Sequence, residues 1–275
     1  MKDIATLSTT KYILDKYNLN ALKKYGQNFL IDINVVNKII KETRIDKDVA
    51  VIEVGPGIGA LTQMLSRYGG KVISFEIDER FKPVYDEFLT ADNLEIIFGD
   101  FMKQEISKIV ADLKKTYQKV YLVANLPYYI TTAIIEKVIL SDCNIDQLIV
   151  MVQKEVALKM TSDYKNPLLL MIKDMGKVEY LFTVNKNVFL PAPHVDSAII
   201  KIVLTKKPNL KLYEILNVCF KQRRKTIYNN LKKEYSNALE ILEKCEIDTK
   251  KRSEELSLND FKNITDMIST HIIKW

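Results

Sequence analysis

Histidine is nearly absent from this chain, with His194 and His271 the only two in 275 residues. An imidazole-based zinc centre or a Ser-His-Asp triad has almost no material to work with. Cysteine is scarce too. Cys143, Cys219 and Cys245 are odd in number, far apart and outside any metal-ligand spacing, so they read as reduced thiols and exclude a disulfide scaffold. No apolar run approaches the ~20 residues that span a bilayer. The start, Met1-Lys2-Asp3-Ile4, lacks the charged and apolar regions of a signal peptide. A cytoplasmic globular protein without metal or membrane attachment is expected. The 47% apolar and 28% charged composition is that of such a chain.

Acid is the second thing missing, and only locally. Residues 1–205 carry 26 Lys/Arg against 25 Asp/Glu, whereas 206–275 carry 15 against 10. The break follows Thr205-Lys206-Lys207-Pro208, which reads as a linker between a domain over 1–205 and a smaller one over 206–275. From Ile215 to Lys233 there is no acid at all, while Lys221, Arg223, Arg224, Lys225, Lys232 and Lys233 are all basic. A solvated helix usually mixes both signs, so an unbroken basic stretch over 221–233 favours a polyanion, nucleic acid first. The apolar positions of 226–231 turn part of that helix toward a core.

Strands and helices alternate through the first domain. An amphipathic helix to about residue 18 and another over 33–42 precede strands at 49–54, 71–76, 94–98, 120–124 and 147–152. Helices over 60–67, 79–89, 105–117 and 131–140 fall between them. That pattern predicts an α/β fold with a doubly wound sheet and right-handed crossovers. Two longer strands, 178–184 and 198–204, follow on either side of a Pro-rich loop. Everything from residue 209 has helical period, predicting a small all-α domain.

The residues that carry chemistry sit where the strands end. Asn125-Leu126-Pro127-Tyr128 follows a buried strand that Pro127 stops, at the carboxyl edge where open α/β sheets bind ligands. An amide, a proline-fixed carbonyl and an aromatic there can hold a flat base bearing an amine. Glu53-Val54-Gly55-Pro56-Gly57-Ile58-Gly59 closes the first of the alternating strands and opens a helix, letting backbone approach a ligand closely. Glu76 ends the next strand, where a carboxylate accepts from a ribose diol. Asp100 follows the third, placed to accept from an adenine amine. Gly55-x-Gly57-x-x-Ala60 also satisfies the relaxed dinucleotide fingerprint, so NAD stands as an alternative. Against it, a pyrophosphate brings two negative charges to a loop hemmed by Glu53, Glu76 and Asp100. S-adenosylmethionine, a sulfonium cation, suits those surroundings better. A third reading leaves the glycines as no more than a tight turn.

The ordered set of motifs resembles the KsgA/Dim family of small-subunit rRNA adenine N6,N6-dimethyltransferases over nearly the whole chain. Lys23-Lys24-Tyr25-Gly26-Gln27-Asn28-Phe29-Leu30 is similar to the family's N-terminal motif, which closes over the cofactor. The glycine loop and Asn125-Leu126-Pro127-Tyr128-Tyr129-Ile130 match its cofactor and catalytic motifs. Val152-Gln153-Lys154-Glu155-Val156, the run from Phe189 to Ser197, and the stretch from Phe220 to Ile227 with Asn230-Leu231 match later ones. The resemblance implies a Rossmann-like class I methyltransferase sheet with a helical, basic rRNA-binding domain. It implies Asn28, Leu30, Gly55, Glu76, Asp100 and Asn125 around S-adenosyl-L-methionine, with S-adenosyl-L-homocysteine as product. The implied substrate is two adjacent adenosines in the 3′-terminal stem-loop of 16S rRNA, methylated four times by a monomer acting on the small ribosomal subunit during ribosome biogenesis. The chain departs from the family after Tyr164, where Lys165-Asn166-Pro167-Leu168-Leu169-Leu170 replaces a Gly and a short Leu-Ser-Val run.

In that reading the Asn125 oxygen and the Leu126 carbonyl accept from the adenine amine, and Pro127 fixes the backbone that aims them. Such acceptors stabilise the positive charge that develops as nitrogen attacks methyl. Tyr128 stacks on the base. Phe189 either stacks on its other face or is a core residue before a Pro turn, and Tyr129 reads as structural. Within the same fold, a macrolide-resistance methylase acting on 23S rRNA is the sister alternative. A non-enzymatic RNA-binding assembly factor is another.

Overall fold

The computed structural model describes residues 2–272. The chain divides into two compact units, Met1–Thr161 with Lys177–Thr205, and Ser162–Gly176 with Lys206–Trp275.

The first unit opens with helix α1 (Leu7–Lys16), strand β1 (Phe29–Leu30) and helix α2 (Ile33–Thr43). Strand and helix then alternate as β2 (Val49–Val54), α3 (Ala60–Tyr68), β3 (Lys71–Glu76), α4 (Lys82–Phe88), β4 (Leu94–Phe98), α5 (Ile106–Leu113), β5 (Lys119–Asn125), α6 (Thr131–Leu140), β6 (Gln147–Gln153) and α7 (Lys154–Thr161). After helix α8 (Pro167–Met175), which belongs to the second unit, come β7 (Gly176–Val184), β8 (Phe189–Leu190) and β9 (Ser197–Leu204). Seven of these strands form one sheet in the order β4-β3-β2-β5-β6-β9-β7. Strands β2 to β6 run parallel, and β9 pairs antiparallel with β6. Strand β2 is buried throughout, as a central parallel strand covered on both faces must be. The order reverses between β2 and β5, so the crevice outside their carboxyl ends is the topological switch point.

The five alternating strands stand where the sequence places them. The two-stranded sheet of β1 and β8 has no counterpart in the sequence pattern. There Phe29 faces Leu190 and Leu30 faces Phe189 in antiparallel register, tying the 23–30 motif to the Pro-rich loop. Phe29 packs edge-on against Phe81 at 5.9 Å between ring centres. Phe189 is 2% exposed and belongs to the same apolar cluster. Of its two readings, the packing favours the core residue.

The second unit holds α8, α9 (Leu210–Phe220), α10 (Ile227–Leu231), α11 (Ala238–Lys244) and α12 (Leu258–Ile272). The division expected after Thr205 is therefore amended, because 162–176 goes with the helices. Leu168, Leu169, Leu170, Met171 and Ile172 are all buried, and α8 packs on α9. The divergent Lys165-Asn166-Pro167 is this helix's start. The Asn166 side chain accepts from Leu169 N at 2.7 Å, and Pro167 takes the first turn, where a missing N–H costs nothing. Lys165 Nζ donates to the carbonyls of Glu254 and Leu256.

The basic helix expected over 221–233 is also corrected. Residues 221–225 form a turn, and Thr226 caps a new short helix by accepting from Asn229 N. Buried Asn230 pins the turn by accepting from Gln222 N and donating to Gln222 O. The break lets Ile227 and Leu231 reach the core while Lys221, Arg223, Arg224, Lys225, Lys232 and Lys233 stay exposed.

If Phe189 is a core residue, Phe189→Ala should lower unfolding free energy in urea by about 3–5 kcal/mol. A change below about 0.5 kcal/mol is that of a surface residue and would put the ring outside the core.

Candidate active site

The site is built at the carboxyl ends of β2, β3, β4 and β5. Gly55, Gly57 and Gly59 have φ of +71°, +59° and +91°, a conformation that L side chains rarely adopt. This lets the chain leave β2, turn, and start α3 with Gly59 as its N-cap. At Gly59 an added Cβ would stand 2.7 Å from Leu89 Cδ1, so crowding reinforces the conformational demand.

Glu76 holds this loop. Its Oε2 accepts from Gly57 N at 3.0 Å and its Oε1 from Asp78 N at 2.9 Å, with the side chain 3% exposed. The Tyr85 hydroxyl has one proton and gives it to Gly57 O at 2.6 Å, leaving its oxygen 3.3 Å from Glu76 Oε2. Burial raises the Glu76 carboxyl to about 7, against the backbone hydrogen bonds from Asp78 and Gly57 that favour its charge. Glu53, 2% exposed, is likewise raised to about 7 by burial, although Ser74 Oγ donates to it at 2.6 Å.

Asp100 follows β4 and Gly99. Its Oδ1 accepts from Met102 N at 2.8 Å, and among the described residues Oδ2 has no hydrogen-bond partner. Asn125 ends β5 at the edge of the cleft; its Nδ2 donates to Asn28 O at 3.4 Å, and among the described residues its Oδ1 accepts no hydrogen bond. Asn28 Nδ2 donates in turn to Gly26 O. Gln27 fastens the N-terminal motif from the other side, accepting from Leu22 N and donating to Asp78 Oδ2, both at 2.8 Å. Tyr128 shares a 2.5 Å hydrogen bond with Ser197 Oγ.

Asn28, Leu30, Gly55, Glu76, Asp100, Asn125, Leu126, Pro127 and Tyr128 all border one cleft. Phe189 and the basic residues of 221–233 do not. Sequence reasoning missed Gln27, whose latch depends on a fold-level neighbour, and Tyr129, which is 61% exposed at the cleft. No Lys or Arg lines these walls, while Glu53, Glu76 and Asp100 do. That donor set fits a cationic sulfonium and disfavours a pyrophosphate. Among the described residues no cluster of His, Cys, Asp or Glu could hold a metal ion, and no helix is long and apolar enough to cross a membrane.

The raised carboxyls make a stability prediction. A carboxyl whose folded value exceeds its unfolded one binds more protons in the native state, so its contribution is present below about 4.5 and is lost as pH rises through about 7. Glu76→Gln should flatten the decline in thermal midpoint between pH 5 and 8. Parallel curves for the two proteins would show that Glu76 ionises normally.

The family model for "Ribosomal RNA adenine dimethylase" matches residues 18–270. The chain is 38% identical over 96% of its length to the ribosomal RNA small subunit methyltransferase A of Staphylococcus aureus, of which it covers 95%. Its fold is similar to a dimethyladenosine transferase from Plasmodium falciparum (TM-score 0.70, 27% identity, 88% of this chain and 98% of that one). It is also similar to the 23S rRNA methyltransferase ErmE (TM-score 0.64, 24% identity, 88% and 100%), a likeness of fold alone. An acidic, cation-accepting cleft and an Asn-Leu-Pro-Tyr strand end on a Rossmann-like sheet thus belong together: the chain is a member of the ribosomal RNA adenine dimethylase family, enzymes that take methyl groups from S-adenosylmethionine.

Proposed function

We propose that this protein dimethylates N6 of two adjacent adenosines in the 3′-terminal stem-loop of small-subunit 16S rRNA. It acts as a cytoplasmic monomer on the assembling small ribosomal subunit and needs no metal. The observation that carries the reading is Asn125, whose Nδ2 is occupied by Asn28 O so that its oxygen is left for a donor in the cleft. The 38% identity to a small-subunit enzyme over nearly the whole chain supports the small subunit over the large one.

The roles follow from chemistry. S-adenosylmethionine supplies an electrophilic methyl group on a sulfonium. Glu76 accepts from its ribose hydroxyls and Asp100 from its adenine amine, while Gly55, Asn28 and Leu30 wall the cleft around it. The adenine N6 lone pair is delocalised into the ring, so the amine is a poor nucleophile. The Asn125 Oδ1 and Leu126 carbonyl accept its hydrogens and stabilise the charge that develops on nitrogen. No ionisable base is needed for the transfer, and the proton leaves to water. Pro127 holds the turn, its carbonyl accepting from Ile130 N and Thr131 Oγ1. Tyr128, its hydroxyl fixed by Ser197, stacks on the base and offsets the few kcal/mol of unstacking with about 1–3 kcal/mol.

The exposed cations of the second unit meet RNA phosphates, though not equally. Arg223 Nη1 donates to the Tyr164 hydroxyl at 2.6 Å and Arg223 also lies 3.5 Å from Glu254; Lys221 pairs with Glu234 at 3.1 Å. Among the described residues Arg224, Lys225 and Lys233 have no ion pair, so they give most to a phosphate.

Asn125→Ala should lower kcat on unmethylated small subunits by about 10²–10³-fold; near-normal turnover would remove Asn125 from the chemistry. Methylation of isolated large subunits in preference to small ones would favour the macrolide-resistance reading instead. Replacing Arg224 and Lys225 with Ala should flatten the salt dependence of subunit binding by about 0.7–0.9 for each phosphate no longer neutralised. An unchanged slope would place the RNA elsewhere.

A further inference from the structure

Two consecutive tyrosines in the Asn-Leu-Pro-Tyr turn have opposite fates. Tyr128 is half-buried with its hydroxyl tied to Ser197, whereas Tyr129 is 61% exposed although it borders the same cleft. The Pro127 carbonyl, held by Ile130 N and Thr131 Oγ1, closes the turn that carries the two rings.

A glycine backs the Tyr129 ring. Gly26 lies against its ring with φ +60°, and a Cβ added there would come within 3.3 Å of Tyr129 Cδ1. The ring is therefore supported along its Cδ1–Cε1 side by the N-terminal motif, and much of the residue remains open to solvent. The same motif carries two cations just before Gly26. Lys23 and Lys24 are exposed, and the Lys24 ammonium sits 4.5 Å from the centre of the Tyr25 ring. A solvent-facing ring packed against a motif that also carries exposed ammonium groups offers the two elements that bind single-stranded nucleic acid, base on ring and phosphate on cation.

We infer that Tyr129 is the stacking platform for a second unstacked nucleotide, the neighbour of the adenosine held at Tyr128, with Lys23 and Lys24 meeting its phosphates. This rests on the reading of RNA adenosine as substrate. Every base has a π face, so this subsite contributes affinity and register and does not select base identity. It uses the ring and not the hydroxyl.

Steady-state kinetics of the full chain on unmethylated small subunits test this, with Tyr129→Phe, Tyr129→Leu and Tyr129→Ala compared. The Ala and Leu variants should raise KM for subunits by about 5- to 100-fold while the calorimetric affinity for S-adenosylhomocysteine stays unchanged. Phe should restore KM to near the parent value. Leu rescuing as well as Phe would show that bulk and not stacking matters, and would overturn the inference. So would an unchanged KM in Ala, or a loss of cofactor affinity in its place. If the parent protein methylates no small subunit, the underlying substrate reading falls, and that is seen before any variant is measured.

Discussion

The hydrogen bond from Gly57 N to Glu76 Oε2 is the constraint on which the site depends. It ties the glycine loop after β2 to the end of β3 and draws a carboxylate into a place where water does not solvate it. Burial then holds that carboxyl near 7, together with Glu53 behind it. Two poorly solvated acids without a basic residue on the cleft wall make an environment that gains from a cation and from hydroxyl donors. The same electrostatics repels the doubly charged linker of a dinucleotide. One backbone bond thus shapes the loop, tunes the acid and selects the kind of cofactor.

Around that bond, the N-terminal motif is held at several points. Gln27 reaches Asp78, Asn28 O receives Asn125 Nδ2, and Phe29 and Leu30 pair with the strand after the Pro-rich loop's first turn. Arg80 completes the latch by hydrogen bonding Asp78 at 2.7 Å and Asn20 O at 3.3 Å. Asp78 is nearly buried, and burial alone would raise its carboxyl, but the Arg80 and Gln27 hydrogen bonds lower it. The second unit has its own charged centre in Asp174, 5% exposed at the side chain and held by Lys206 and Lys262. Its carboxyl is lowered by those two lysines against the effect of burial.

Much of this is legible because parallel strands announce themselves as apolar runs and their ends carry the chemistry. Glu76, Asp100 and Asn125 each follow such a run, so their convergence on one crevice follows from the doubly wound order. Other features have no local signal. Strands β1 and β8 are two residues each, too short for a period, and exist only because distant segments meet. Helix α8 is buried along most of its length and shows no amphipathic stripe; its capping pair Asn166-Pro167 is the clue. The acid-free stretch after Ile215 is basic as expected, but Thr226 and Asn230 break it into a turn and a short helix. Phe189 and Tyr129 show the remaining limit. In a loop without periodicity, nothing local tells which aromatic faces the core and which the solvent.

Calorimetric titration with S-adenosylmethionine at pH 8, comparing the parent protein with Glu76→Gln, tests the central claim most directly. With the carboxylate ionised and accepting from ribose hydroxyls, its loss should weaken binding by about 10- to 100-fold, as for hydrogen bonds to a charged group. An affinity within about twofold of the parent's would contradict the account.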